Sequence, residues 1–176
     1  MTVATVRPNG NVSVVLTPEP AGRANWACVD EASPADDTDY VGETDQTTFQ
    51  DDLYGTPSPS VPADATINSV KVYFRVEKIG TKSSYARPRI RALAQAVTNG
   101  TAVALADGVW ANKSQTWLTN PITGVAWTVT EVNDLDIGIG MRQATTGETS
   151  GICSQLYAEI DYTPPAGVSK MVVQVM

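Results

Sequence analysis

Apolar and polar residues alternate with a period of two along most of this chain. The segment 67–79, INSVKVYFRVEKI, places Val70, Val72, Phe74 and Val76 on one face and Lys71, Tyr73, Arg75 and Glu77 on the other. That is the signature of a half-buried antiparallel strand. The segment 86–97 sets Arg87, Arg89 and Arg91 against Pro88, Ile90 and Ala92. The Gly80-containing stretch between the two reads as a hairpin loop. In 151–165, Ile152, Leu156, Ala158, Ile160 and Tyr162 face inward, Gln155, Tyr157, Glu159 and Asp161 face out, and Pro164-Pro165 stop the strand. Further strands are expected at 24–31 and 135–144, with shorter ones at 101–106 and 114–120.

One stretch has a different period. In NPITGVAWTVTEVNDLDIGI, residues 120–139, Thr128 and Glu131 have the spacing of a capping box, in which each side chain bonds the other's backbone amide. Val129, Val132 and Leu135 follow at helical spacing, and Asn133-Asp134 weakens the end. This predicts one to two helical turns near 128–135, with Trp127 stapling them to the core, as a crossover between strands. Many short strands, frequent turn signals and almost no helix predict an all-β fold. The leading architecture is a jelly-roll-like antiparallel β-sandwich, and an immunoglobulin-like sandwich is the alternative.

The length of 176 residues fits one domain over 24–165, flanked by an N-terminal segment 1–23 and a C-terminal segment 166–176. Both flanks are apolar and β-prone. They either pair with the domain's own sheet edges or act as arms that add strands to a neighbouring subunit. The arm reading makes Met171, Val172, Val173 and Val175 interface residues. Residues 1–16 lack a basic stretch followed by an apolar one, so no secretory leader is expected, and no apolar run is long enough to cross a membrane.

Charge narrows the chemistry. The net charge is −7, and residues 24–70 hold ten acidic residues and no basic one. Such a segment repels phosphate, so a nucleic-acid partner is not expected. The sequence contains no histidine, which removes the commonest general base and zinc ligand. No catalytic residue and no cofactor is therefore assigned, and an enzyme is not expected. Cys28 and Cys153 lack the spacing of a zinc or redox pair; they read as buried free thiols, with a disulfide as the alternative. In the loop 30–45, Asp36, Asp37 and Asp39 are candidate calcium ligands, though the spacing is not that of an EF-hand and solvated carboxylates are the plainer reading. A glycosidase-type carboxylate pair is a third option that sequence alone cannot place.

Arg87, Arg89 and Arg91 project at alternate positions, about 7 Å apart, and need acidic neighbours. Those neighbours are either the chain's own carboxylates or the acidic surface of another subunit. Trp26, Trp117 and Trp127 read as core residues. Trp110, in a turn-rich loop, is a candidate interface anchor or sugar platform.

Four stretches, NWACVDEASPADDTDYV (25–41), INSVKVYFRVEKIG (67–80), LTNPITGVAWTVTEVNDLDIGI (118–139) and SQLYAEIDYTP (154–164), occur in an order that resembles a family of tailed-bacteriophage virion proteins of jelly-roll type. The resemblance implies a non-enzymatic structural role in the virion: capsid decoration or cement, or a head- or tail-associated component. The partners it implies are the chain itself, most simply as a trimer, and the major capsid protein or other virion proteins. The implied location is the virion, assembled in the host cytoplasm. A carbohydrate-binding β-sandwich of a phage tail or fibre, using Trp110 and the acidic loop, is the alternative function.

Overall fold

A computed structural model describes residues 1–147 and 149–166. Along the chain run β1 (Thr2–Val6), β2 (Gly10–Ser13), β3 (Thr17–Glu19), β4 (Tyr40–Gly42), β5 (Gln50–Gly55), β6 (Thr66–Gly80), β7 (Ser84–Ala92), β8 (Thr98–Asn99), β9 (Val103–Ala104), β10 (Ala111–Trp117), α1 (Val129–Asn133), β11 (Leu135–Gln143) and β12 (Thr149–Thr163). Among the described residues these form two antiparallel sheets. Sheet A has the order β10-β6-β12-β4-β3, with β1 also on β12; sheet B has the order β2-β5-β11-β7-β8, with β9 also on β7. The chain passes repeatedly from one sheet to the other, and the product is a jelly-roll-like β-sandwich. No helix among the described residues is long and apolar enough to cross a membrane.

The alternating strands bury the faces that the pattern predicts. Val70, Val72, Phe74 and Val76 of β6, and Ile152, Leu156, Ala158 and Ile160 of β12, are buried against Ile137, Ile139 and Met141 of β11 and Ala86 and Ile90 of β7. Cys28 and Cys153 lie in the same core as free thiols. Burial pushes them up to about 11 and about 12, which keeps both uncharged and unreactive. The crossover helix also forms as expected. Glu131 N donates to Thr128 Oγ1 at 3.3 Å, and Thr128 N donates to Glu131 Oε2 at 2.8 Å. Trp127 is buried and donates its Nε1–H to Trp117 O at 3.1 Å.

Three expectations need correction. First, β6 and β7 do not form a hairpin: they lie in opposite sheets, each with its apolar face turned to the shared core, and β6 pairs instead with β10 and β12. Second, Asn25–Cys28 is a 3-10 turn rather than a strand. Asn25 is buried and donates Nδ2–H to Leu16 O and to Asp52 Oδ2, both at 2.8 Å, and Trp26 N donates to Asn11 Oδ1, so tertiary contacts override the local pattern. Trp26 is correspondingly half-buried at the edge of the core. β5 has no counterpart among the expected strands: its two adjacent aspartates face opposite ways, with Asp51 meeting arginines and Asp52 fully buried. Third, of the two readings of the segment 1–23 the arm gives way to pairing within the chain: β1 pairs with β12, β2 with β5 and β3 with β4. The C-terminal interface candidates Met171, Val172, Val173 and Val175 lie outside the described residues.

Candidate functional site

The outward faces of the two sheets differ in character. On sheet B, the arginines of β7 are satisfied from within the chain. Arg87 and Arg89 both reach Asp51, at 3.0 and 3.6 Å, and Arg91 reaches Asp136 at 2.6 Å. Gly140 of β11 lies in register between Asp51 and Arg87, and its missing side chain is the space these groups occupy. Phe49 packs beneath the guanidinium of Arg87, 3.8 Å from ring centroid to Cζ. This is the self-paired arrangement of the arginine strand, with Asp136 on the adjacent β11 and Asp51 reaching across β11 from β5.

Sheet A presents aromatic and amide groups instead. In the β6–β12 register Tyr73 lies opposite Tyr157. Their rings stack at 4.7 Å between centroids with 9° between planes. Such a pair contributes about 0.5–1.5 kcal/mol beyond its buried area. The flanks of the stack carry cations: Lys71 Nζ is 4.4 Å from the Tyr73 centroid and Arg7 Cζ is 5.5 Å from that of Tyr157. Tyr73 donates its hydroxyl hydrogen to Glu159 Oε2 at 2.9 Å. Partial burial, with the Glu159 charge next in weight, pushes the Tyr157 phenol up.

Beside the stack lies a cleft of about 130 Å³, lined by Tyr73, Phe74, Asn112, Lys113, Gln155 and Tyr157. One row further along the strands, Arg75 faces Asn112 of β10 and Gln155 of β12. Trp110, half-buried just before β10, lies 5.6 Å from the Arg75 guanidinium. The face thus runs from the tyrosine pair, across two amides, to Arg75 and Trp110. Two larger hollows, of about 240 Å³ along β3 and β4 and about 410 Å³ beside α1, lack a stacked aromatic wall.

The acidic loop abuts this face from below. Asp37 has φ of 60°, a left-handed conformation that aspartate tolerates better than most residues, and this turns its side chain towards β6. There it takes a bidentate pair of bonds from Arg75 Nε (2.8 Å) and Nη2 (2.6 Å), plus one from Ser154 Oγ (2.6 Å). The Arg75 guanidinium, with help from Ser154, holds the Asp37 carboxyl below the usual carboxylate range. Of the calcium candidates Asp36, Asp37 and Asp39, the fold therefore removes Asp37 and brings Asp36 and Asp39 together with Glu31, their oxygens within 4.8 Å of one another. Burial first, then the nearby Asp36 and Asp39, push Glu31 up to about 7, against the Asp36 amide that holds it down. A hard cation takes about six to eight oxygens. Three carboxylates are a start, but Arg23 already sits 2.7 Å from Asp39 and supplies positive charge there.

Sequence reasoning placed Tyr73, Tyr157 and Gln155 on outward faces without joining them. Two outward tyrosines on strongly alternating strands were the available signal. That β6 and β12 are neighbours, in the register that stacks them, comes only from the fold.

No family model and no curated relative matches the chain. Solved structures that are similar to it include TmCBM61 in complex with beta-1,4-galactotriose, with a TM-score of 0.46 and 13% identity, covering 87% of this chain and 86% of that one. The CBM22-1 xylan-binding domain from Paenibacillus barcinonensis Xyn10C aligns with a TM-score of 0.42 and 8% identity, over 90% of this chain and 92% of that one. The enzymatically active domain of bacteriophage CBA120 tailspike protein 4 aligns with a TM-score of 0.45 and 7% identity, over 91% of this chain but 19% of its own.

Proposed function

We propose that this protein is a non-catalytic binding module that takes carbohydrate on the outer face of sheet A. The observation that carries the reading is the Tyr73–Tyr157 stack bordering a cleft whose other wall is two amides. Sugar rings offer apolar C–H faces and dense hydroxyls. A surface that recognises them combines aromatic area with a few placed donors and acceptors. Aromatic residues at both ends of the face, with Trp110 at the far one, support an extended glycan lying across the strands. The charges fit as well: Arg7, Lys71 and Arg75 on this face are engaged by aromatic rings or by the chain's own acceptors, which does not suit a phosphate-binding surface. Native gels cast with soluble polysaccharides test the proposal. Retardation of the intact protein by at least one polysaccharide, weakened about tenfold or more in Tyr157→Ala, is expected. Retardation that survives in Tyr157→Ala would move the site elsewhere.

The resemblance to phage virion proteins supports a second reading, a structural component of the virion. The observation that favours it is a pinned apolar loop. Leu118, Ile122 and Val125 are exposed at 72%, 38% and 62%. The loop beneath them is fixed by the buried Asn120, which donates to Glu131 Oε1 at 2.8 Å and accepts from Ile122 N at 2.9 Å. Rigid exposed apolar groups suit a protein contact. Co-sedimentation with empty shells, lost on Leu118→Ser, would support this role and a trimeric mass in solution would fit it; absence from the pellet would count against it.

A further inference from the structure

Three polar groups at the cleft of sheet A each have one end engaged by the protein. Gln155, only 6% exposed, donates Nε2–H to Glu31 O at 2.9 Å, which turns Oε1 out as an acceptor. Asn112 accepts at Oδ1 from Arg75 Nη1 at 3.3 Å, which leaves its Nδ2 hydrogens as donors. Arg75 is held by both oxygens of Asp37, and Asp37 is held in turn by Ser154. A guanidinium already forked onto a carboxylate has its charge neutralised and its best geometry used. The remaining cations offer little to an anion. Lys71 lies over Tyr73, whose hydroxyl is bonded to Glu159. Arg7 lies over Tyr157 and donates to Glu31 O. Lys113 also lines the cleft, but it is the register partner of the buried Phe74, and strand alternation sets its side chain on the opposite side of the sheet from that of Asn112.

Taking the glycan-binding reading as its base, we infer that the cleft selects an uncharged sugar with two neighbouring hydroxyls, one accepting from Asn112 and one donating to Gln155, and that Asp37 excludes acidic sugars by occupying Arg75. Asp37 is thus a specificity-determining residue that need not touch the ligand. A carboxylate or sulfate brought to this face meets a neutralised arginine and the negative charges of Asp37 and Glu159, and pays desolvation without a partner.

The test uses the full chain in native gels containing a neutral galactan, a neutral glucan, polygalacturonate or a sulfated galactan, at physiological salt. The intact protein is expected to be retarded by a neutral polymer and not by either acidic one. Asp37→Asn frees Arg75 and is expected to gain retardation on polygalacturonate, with a change in its neutral affinity of about threefold or less. Arg75→Gln serves as the second variant should Asp37→Asn melt too early to be used. It keeps the acidic exclusion, and because it also removes the bond that orients Asn112 its binding to the neutral polymer is expected to weaken; retardation of this variant by polygalacturonate would overturn the inference. Retardation of the intact protein by an acidic polymer as strongly as by a neutral one overturns the inference while leaving the glycan reading standing. Failure of every polymer to retard the intact protein overturns the glycan reading itself, and this inference with it.

Discussion

At the scale of single residues, buried carboxylates organise the molecule more than the count of acidic residues suggests. Asp52 is fully buried without a cation and is satisfied by four donors: Val15 N (2.6 Å), Leu16 N (2.8 Å), Asn25 Nδ2 (2.8 Å) and the Tyr54 hydroxyl (2.7 Å). It ties the N-terminal segment and the 25–28 turn to β5. Asp52→Ala leaves those donors stranded and is expected to cost about 3 kcal/mol or more in urea unfolding; a loss under about 1 kcal/mol would deny it this role. Glu31 gives a pH signature. Its folded carboxyl is raised to about 7 from an ordinary 4.5, so the native state binds the proton more tightly than the unfolded chain. Its stabilising effect is full below about 4.5 and lost as pH rises through 7. The urea midpoint should therefore fall between pH 5 and pH 8, and Glu31→Gln should flatten that slope. Asp37, held low by Arg75, works in the opposite window: its contribution is present above the ordinary 3.8 and disappears as pH falls through the lower folded value. Some of this scale was legible in the sequence. Thr128 and Glu131 announce their capping box because both partners lie within four residues. Asp52 does not announce its role, because all of its donors except Tyr54 lie far away in the chain.

At the scale of elements, periodicity located β6, β7 and the second half of β12, where buried and half-buried positions alternate, while β11 was legible from its alternate apolar residues although the glycines between them are buried as well. It failed where a strand breaks that rule, as β5 does with Asp51 out and Asp52 in. It also failed in pairing: nothing in the alternation of β6 and β7 says whether they lie side by side or face each other across a core, and they face each other. Asn25–Cys28 alternates like a strand but is held as a turn by side-chain bonds to β5 and to the β2–β3 region. The alternate glycines of β11 had no reading in the sequence. Their role is space: a methyl at Gly138 would collide with the Asp52 carbonyl oxygen of β5, and one at Gly140 with the Asp51 carboxylate. Gly138→Ala must push the β5 backbone away and is expected to cost about 2–3 kcal/mol, read as a lowered melting midpoint by circular dichroism. Gly140→Ala meets a movable side chain and should cost less. Equal losses in the two variants would contradict this assignment of backbone against side chain.

For the whole molecule, the sandwich sorts its charges by face. Sheet B pairs its arginines with its own aspartates, while the outer face of sheet A carries an aromatic pair, two half-engaged amides and a neutralised arginine around the cleft. The sequence suggested the class of fold and an arginine strand. It did not suggest the tyrosine cleft, because Tyr73 and Tyr157 are 84 positions apart and meet only through the central pairing of β6 with β12. The claim that matters most is that this face, and not the arginine face or the apolar loop, receives the ligand. Backbone amide NMR spectra recorded while the best-retained oligosaccharide is added test it most directly. The account predicts saturable shifts centred on Tyr73, Asn112, Gln155 and Tyr157, with Arg87, Arg89, Arg91 and Leu118 unmoved. Shifts centred on β7 and β11, or on the loop 118–125, with sheet A silent, would contradict it.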